Sequence, residues 1–268
     1  MGHTTFTEIA TRYERDSIIQ KSAAEKLISL LQIGSDDAVL DLGCGAGNLT
    51  RKLREQTSGP VVGIDPTATM IETARAGAAG QEIIFLHGGA EELPFTDTFD
   101  VVFCNSAFQW FNKPSSALAS CYRALRPGGR IGIQAPSKTA YCPNFIEAVG
   151  EVARDPRTAA TFAGFRSPWL FLETVDDYRE LFRNSGFTVS FAVIEEQVTP
   201  YTPEDVVTIF ESGAAAGYLN RDNYDTDIDE EYGKAFREII AGAFRSQAGP
   251  DGRVDLIFNR VYLVAVKD

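Results

Sequence analysis

Val39-Leu40-Asp41-Leu42-Gly43-Cys44-Gly45-Ala46-Gly47-Asn48-Leu49 decides how this chain is read. It is a short apolar strand, then a glycine-rich turn, then the first residues of a helix. Glycines at 43, 45 and 47 let the backbone approach a ligand closely and accept positive φ. Asp41 puts a carboxylate at the strand's end, where a pyrophosphate would be repelled and a ligand carrying an ammonium group would be attracted. A dinucleotide fold wants Gly-x-Gly-x-x-Gly. Here the pattern is Gly-x-Gly-x-Gly after Asp-Leu, which argues against a nicotinamide oxidoreductase.

Working outward, Val61-Val62-Gly63-Ile64-Asp65 is a second apolar strand ending in an acid. Asp65 lies roughly 20 residues beyond the glycine turn, where a ribose diol is gripped in nucleotide-binding α/β folds. Leu93-Pro94-Phe95, Phe99-Asp100-Val101-Val102-Phe103-Cys104-Asn105 and Leu125-Arg126-Pro127-Gly128-Gly129-Arg130-Ile131 follow in order. Strands are expected at 38–42, 60–65, 82–86, 99–105 and 130–135, with helices between them. That alternation argues for a parallel sheet covered on both faces.

Before the first strand, Ile19, Ala23, Leu27, Leu30 and Leu31 share one stripe of a helix over 16–32. Thr67 is placed to cap the helix after strand two. After Ala135 the character changes, with Tyr141, Phe145, Phe162, Phe165, Trp169 and Phe171 scattered among prolines. Helices are expected over 144–153, over 175–185 behind a Thr174 cap, from Thr202-Pro203 to about 215, and over 229–245. A sixth strand covers 187–193. The last, 254–266, should form an antiparallel edge. The acids from Asp222 to Glu231 fail the calcium-loop pattern, because Glu230 stands where glycine is required. They suit a helix start instead.

The motif order over residues 6–135 resembles the class I S-adenosylmethionine-dependent methyltransferases. The resemblance implies a Rossmann-like, doubly wound, mostly parallel seven-stranded α/β sheet with an antiparallel last strand and a helical cap. It implies one domain over residues 1–268: an N-terminal arm and helix over 1–32, a cofactor-binding core over 36–135, and cap-like insertions over 137–172 and 200–250. It implies S-adenosyl-L-methionine as cofactor. Asp41, Gly43, Cys44, Gly45 and Gly47 would hold its methionine end. Asp65 would hold its ribose, Pro66 and Thr67 belong to the cofactor-binding set beside it, and Met70, Gly89, Ala90 and Glu91 would hold its adenine. An Asp usually stands where this chain has Gly89, so Glu91 would have to supply that carboxylate. Asn105 ends strand four beside the sulfonium.

Gln109-Trp110 resembles a feature of the malonyl-carrier-protein and trans-aconitate carboxyl methyltransferase groups. The entry from Phe6 to Arg15 resembles the first of these, in which the tyrosine matching Tyr13 covers the methyl end. Tyr13, Asn105 and Gln109 are therefore candidate positioning residues. Trp110, Tyr141, Arg166, Trp169, Tyr218, Arg221 and Arg260 are candidate substrate residues. The three arginines are included because a guanidinium both binds and orients a carboxylate.

The expected reaction is methyl transfer to a small molecule, with O-methylation of a free or carrier-bound carboxylate favoured. Other small-molecule O-, N- or C-methyltransferases stay open, and so does a non-catalytic cofactor-binding regulator. A carboxylate acceptor needs no base. A phenol or amine would need one, for which Tyr13, Tyr141, Glu147 and Tyr218 are candidates.

A net charge of −12 does not favour nucleic acid or an anionic membrane surface. Two histidines make a metal site or a histidine-based triad unexpected. No apolar run reaches the length of a membrane span. Cys44, Cys104, Cys121 and Cys142 match no zinc spacing and read as reduced thiols of a cytoplasmic protein.

Overall fold

The computed structural model describes residues 23–268. Tyr13, the residues 6–15 and the first part of the 16–32 helix lie outside the described residues. Residues 23–31 are helical (α1), with Ala23, Leu27 and Leu31 buried.

Seven strands form one sheet: β1 (Val39–Leu42), β2 (Val61–Asp65), β3 (Ile83–His87), β4 (Phe99–Asn105), β5 (Leu125–Pro136), β6 (Thr188–Tyr201) and β7 (Val254–Val266). Their order is β3-β2-β1-β4-β5-β7-β6. The first five pair in parallel, and β7 runs antiparallel to β5. The sheet is thus mostly parallel and seven-stranded, as the motifs imply. β7, however, is not the edge: it lies between β5 and β6.

Alternation along the strands explains why both faces are covered. Leu40, Leu42, Val102, Cys104, Ile131 and Ile133 face a cluster that includes Phe108, Tyr178 and Phe182. Val39, Val61, Val101 and Phe103 face the other way, against Leu27, Leu31 and Leu53. Two-sided burial is why the central strands read as continuous apolar runs.

Helices α2 (Asn48–Arg54), α3 (Ala68–Gly77) and α4 (Pro114–Ala124) connect the parallel strands. Beyond them come α5 (Pro143–Arg154), α6 (Ala159–Phe162), α7 (Val175–Asn184), α8 (Pro203–Ser212), α9 (Ala215–Tyr218) and α10 (Glu230–Ser246).

Several expectations need correction. Thr67 occupies the N-cap position of α3 but makes no side-chain cap; the Asp65 carboxylate accepts from the Thr67 N–H instead, at 2.8 Å. The Pro127-Gly128-Gly129 turn lies inside β5 rather than before it. Phe99 pairs with Leu125 and Val101 with Arg130, so residues 126–129 loop out opposite a single residue. The helix expected to run to 215 breaks at Gly213, whose φ and ψ of −138° and −76° are not helical, and α9 restarts beyond it. β6 continues eight residues past 193, through Glu195, Glu196 and Pro200. Charged residues and proline are tolerated there because an edge strand leaves one row of backbone groups in water. Asp229, in the acidic run, caps α10 by accepting from the Tyr232 N–H at 2.7 Å.

The chain divides into two compact units. Among described residues, one comprises 23–139, Leu170–Glu195 and Arg260–Asp268 and carries the parallel strands. The other comprises Ala140–Trp169 and Glu196–Asn259. Its core is aromatic. The Phe145 ring lies 5.1 Å from Phe210, 5.6 Å from Phe244 and 5.5 Å from Phe258, and Phe210 stacks on Tyr218 at 5.9 Å.

Candidate functional site

In an open α/β sheet the ligand crevice lies beyond the carboxyl ends of the strands, where the strand order reverses. Here the reversal falls at β1, with β2 on one side and β4 on the other. The glycine turn follows β1 directly. It is tied to β2 by the N–H groups of Gly43 and Cys44, which both donate to the Ile64 carbonyl, at 2.8 and 3.0 Å.

Asp65 organises the turn. One carboxylate oxygen accepts from the Gly45 N–H at 3.0 Å and the other from the Thr67 N–H at 2.8 Å. The glycines divide into two kinds. A Cβ on Gly43 would lie 2.3 Å from the Ala107 Cβ, and one on Gly47 would lie 2.8 Å from the Phe85 ring, so these two are glycine because the protein packs against them. A Cβ on Gly45 would meet nothing within 4 Å. That is space beside the backbone for a ligand to occupy.

Asp41 is enclosed at the end of β1 and accepts from the Thr50 hydroxyl at 2.6 Å. Burial pushes its carboxyl up to about 7; the Thr50 hydrogen bond opposes the rise and the charge of Asp65 adds to it. A buried, reluctantly charged carboxylate is a strong partner for a cation. Cys44 contributes no nucleophile, because burial, followed by the nearby carboxylates, drives its thiol pKa far up.

At the end of β3, Gly89 precedes a single 3-10 turn, Ala90–Glu92. Ala90 is buried. A side chain starting at Gly89 would begin 3.1 Å from Glu91 Oε2, so the Glu91 carboxylate stands beside Gly89. Met70 is 40% exposed rather than in the core. Pro66 offers its carbonyl to His87 Nε2, 2.9 Å away.

Asn105, Ser106, Gln109 and Trp110 follow β4. Ser106 adopts φ 56°, unusual for a residue with a side chain. Gln109 donates from Nε2 to the Ser106 carbonyl at 2.9 Å, while its buried Oε1 has no hydrogen-bond partner among the described residues. Trp110 is 39% exposed.

The candidate substrate residues separate. Arg166 is exposed and paired with Asp225 at 2.5 Å. Arg221 donates to the Ile228 carbonyl at 3.1 and 3.0 Å and is also exposed. Arg260 alone of the three is buried, opposite Pro136 at the carboxyl end of β5. Tyr141, Trp169 and Tyr218 lie in the aromatic unit: the Trp169 ring is 4.9 Å from Tyr218 and 6.2 Å from Tyr141. Burial raises the Tyr218 phenol to about 12 and the Tyr141 phenol well above its ordinary value, so neither is suited to act as a base near neutral pH. Glu147 is exposed on α5.

Three residues escaped the sequence reading. Thr50 stands nine residues past Asp41, in the first turn of α2, and nothing in its type marks it. Gln134 is a lone amide in the apolar run Ile131-Gly132-Ile133-Gln134-Ala135, a visible signal that was passed over. Ser137 is buried with an unpartnered hydroxyl.

An adenosine-bearing cation fits these residues. Two carboxylates, Asp41 and Asp65, stand beside an open backbone cradle at Gly45, and a third carboxylate, Glu91, stands beside Gly89.

Comparison with known proteins points the same way. Residues 40–133 match the family described as "Methyltransferase domain". A malonyl-[acyl-carrier protein] O-methyltransferase of Pectobacterium atrosepticum is 36% identical over 127 residues, covering 47% of this chain and 49% of that protein. A demethylmenaquinone methyltransferase of Lactobacillus johnsonii is 34% identical over 143 residues, covering 49% and 59%. The chain therefore spans about half the length of the curated relatives it matches. Among solved structures, the YcgJ protein of Bacillus subtilis superposes with a TM-score of 0.62 at 18% identity, covering 92% of this chain and 98% of that one. At that identity the likeness is one of fold.

Proposed function

From a chain whose residues 40–133 match the family described as "Methyltransferase domain", we propose a class I S-adenosylmethionine-dependent enzyme that methylates a carboxylate oxygen on a small or carrier-bound acid. Two observations support the two halves of this reading. The open cradle at Gly45 flanked by Asp41 and Asp65 supports the cofactor. The buried guanidinium of Arg260 at the carboxyl end of β5, which carries the acceptor assignment, supports an anionic acceptor.

When bound, S-adenosylmethionine supplies an electrophilic methyl group on a good leaving group. The chain's own residues then have to bind, align and exclude water. Asp41 would hold the ammonium and Asp65 the ribose hydroxyls. Gly89, Ala90, Glu91 and Met70 would enclose the adenine. Asn105 and Gln109 would position the reacting groups. Arg260 would fix the acceptor carboxylate, which is already ionised and needs no base. That agrees with Tyr141 and Tyr218, whose phenols stay protonated. Trp110, Trp169, Arg166 and Arg221 remain candidates for acceptor selection, and Tyr13 for covering the methyl end. No helix among the described residues is long and apolar enough to cross a membrane. The four thiols, all free, go with a reducing compartment such as the cytoplasm.

The relatives' differing names favour one alternative, transfer to another small-molecule oxygen, nitrogen or carbon. A regulator that binds the cofactor without catalysis is the remaining one. Calorimetry with S-adenosylhomocysteine, and separately with NAD, tests the cofactor: binding of NAD in preference overturns it. Methyl uptake by small carboxylic acids and by acyl carrier protein tests the acceptor. Uptake only by amines or hydroxyl compounds would replace the carboxylate, and no uptake by any class would favour the regulator.

A further inference from the structure

Asp41 is a buried carboxylate that makes no ion pair among the described residues. Its neighbours across the sheet bring no charge: Gly63 stands beside it on β2 and Phe103 on β4. The ionisable groups that act on it are the Asp65 carboxylate at the end of β2 and the thiols of Cys44 and Cys104, which burial keeps protonated. One polar side chain reaches it. The Thr50 hydroxyl donates to Asp41 Oδ2 at 2.6 Å, and Thr50 is itself fully buried. Oδ1 accepts no hydrogen bond among the described residues.

A fully buried position on a helix suits an aliphatic side chain, as Leu53 shows one turn further along α2. A hydroxyl there is useful only for what it touches. It does two things by its position. The Cβ–Cγ torsion of an aspartate is soft, and its carboxylate turns unless one oxygen is held. The bond to Oδ2 holds it and leaves Oδ1 as the oxygen an incoming cation meets. A hydrogen bond to the charged form also favours that form, against the burial that disfavours it. A hydroxyl does this without bringing a positive charge of its own. A lysine or arginine in its place would satisfy the carboxylate and leave little attraction for an ammonium group. The bond also ties together the two ends of the strand–turn–helix stretch that contains Gly45.

We propose that Thr50 is a positioning residue for the cofactor: its hydroxyl turns and holds the Asp41 carboxylate so that Oδ1 meets the ammonium of the amino-acid end. This rests on the assignment of Asp41 to that ammonium given above.

The test uses the full chain and the variants Asp41→Asn, Thr50→Val, Thr50→Ser and the double variant of the first two. Two probes are compared by calorimetry: S-adenosylhomocysteine, which carries the amino-acid end, and 5′-methylthioadenosine, which lacks it. Thr50→Val should weaken S-adenosylhomocysteine by about tenfold near pH 7, and 5′-methylthioadenosine by less than about twofold. The loss should shrink as pH rises, because a carboxyl left without its donor ionises later. The pH below which affinity falls should therefore move up by about one pH unit. Thr50→Ser, which keeps the hydroxyl, should bind S-adenosylhomocysteine within about twofold of the parent. In the Asp41→Asn background Thr50→Val should change nothing further, because the hydroxyl acts through the carboxylate. A merely structural residue would weaken both probes alike and leave the pH profile where it was.

If Asp41→Asn weakens S-adenosylhomocysteine relative to 5′-methylthioadenosine while Thr50→Val does not, the positioning role is overturned and the ammonium assignment stands. If Asp41→Asn leaves the ratio of the two affinities unchanged, the ammonium assignment falls and the role of Thr50 falls with it. Should Thr50→Val fail to fold, Thr50→Ala takes its place, and an unchanged ratio in that variant overturns the proposal.

Discussion

At Gly45 no atom of the described residues packs against the position a side chain would take. Its φ of 51° disfavours any side chain, and the space a Cβ would enter is empty. Gly45→Val should therefore abolish binding of S-adenosylhomocysteine in calorimetry at a modest cost in stability, about 1–2 kcal/mol for the strained backbone. Gly43→Ala should do the reverse first. Its Cβ would drive into Ala107, so lost stability precedes lost affinity. Normal binding by Gly45→Val would make the turn structural only. Asp41 supplies a pH signature. Its carboxyl titrates near 7 in the folded protein and at the ordinary 3.8 when unfolded, so between those values the folded chain holds a proton that the unfolded chain has released. Stability of the ligand-free protein from this group should thus fall as pH rises from about 4 to about 7 and level off above. A bound ammonium favours the charged form and lowers that pKa. Cofactor binding should then release a proton near pH 6–7, seen as a heat of binding that varies with the ionisation enthalpy of the buffer. Asp41→Asn should remove both effects; an unchanged buffer dependence in that variant would assign the proton elsewhere.

Among the elements, α7 is the one whose start was readable from local chemistry. Thr174 and Asp177 form a reciprocal capping box: the Thr174 hydroxyl accepts from the Asp177 N–H at 3.2 Å, and the Asp177 carboxylate accepts from the Thr174 N–H at 2.8 Å. Thr174→Ala should cost about 1 kcal/mol, measurable by denaturant titration with the m-value unchanged. Loss of less than a few tenths would mean that water caps the helix equally well. The contrast with α3 explains what sequence could and could not supply. Thr67 has the type and position of a cap, yet its side chain makes no cap hydrogen bond, and its own N–H is held by Asp65 from the preceding strand, a contact that only three-dimensional proximity reveals. Strand runs were legible because burial on both faces leaves a continuous apolar signature. The β5 bulge was not, because Pro127-Gly128-Gly129 carries the same letters whether it ends a strand or loops out of one. In the candidate site, the glycine turn, Asp41 and Asp65 announce themselves by spacing. Gln134 and Thr50 do not, since their partners stand on other elements, as Asp41 does on the strand before Thr50's helix.

On the scale of the whole chain, charge and division set the limits. A net charge of −12 does not favour a phosphate backbone as partner, and Arg260, the arginine proposed for an anion, is buried. The two units are held by different cores, an aliphatic sheet interior in one and interlocked aromatic rings in the other. Gly217 marks how closely the second is packed: a Cβ there would fall 2.1 Å from the Trp169 ring.

All four cysteines are free and all four are buried, and they sit at three different addresses: Cys44 in the glycine turn, Cys104 and Cys121 in the sheet interior, and Cys142 in the aromatic unit. The protein therefore carries built-in stopwatches. An alkylating reagent can reach a thiol only when its neighbourhood opens, so the labelling rate of each position, read by mass spectrometry, times a separate opening event. Cys104 and Cys121 should label together and last. Cys44 should label sooner in the empty protein and be slowed by S-adenosylhomocysteine far more than Cys142 is. Equal slowing of all four would mean that the chain opens as one body, and that its two cores, however different in chemistry, share a single fate.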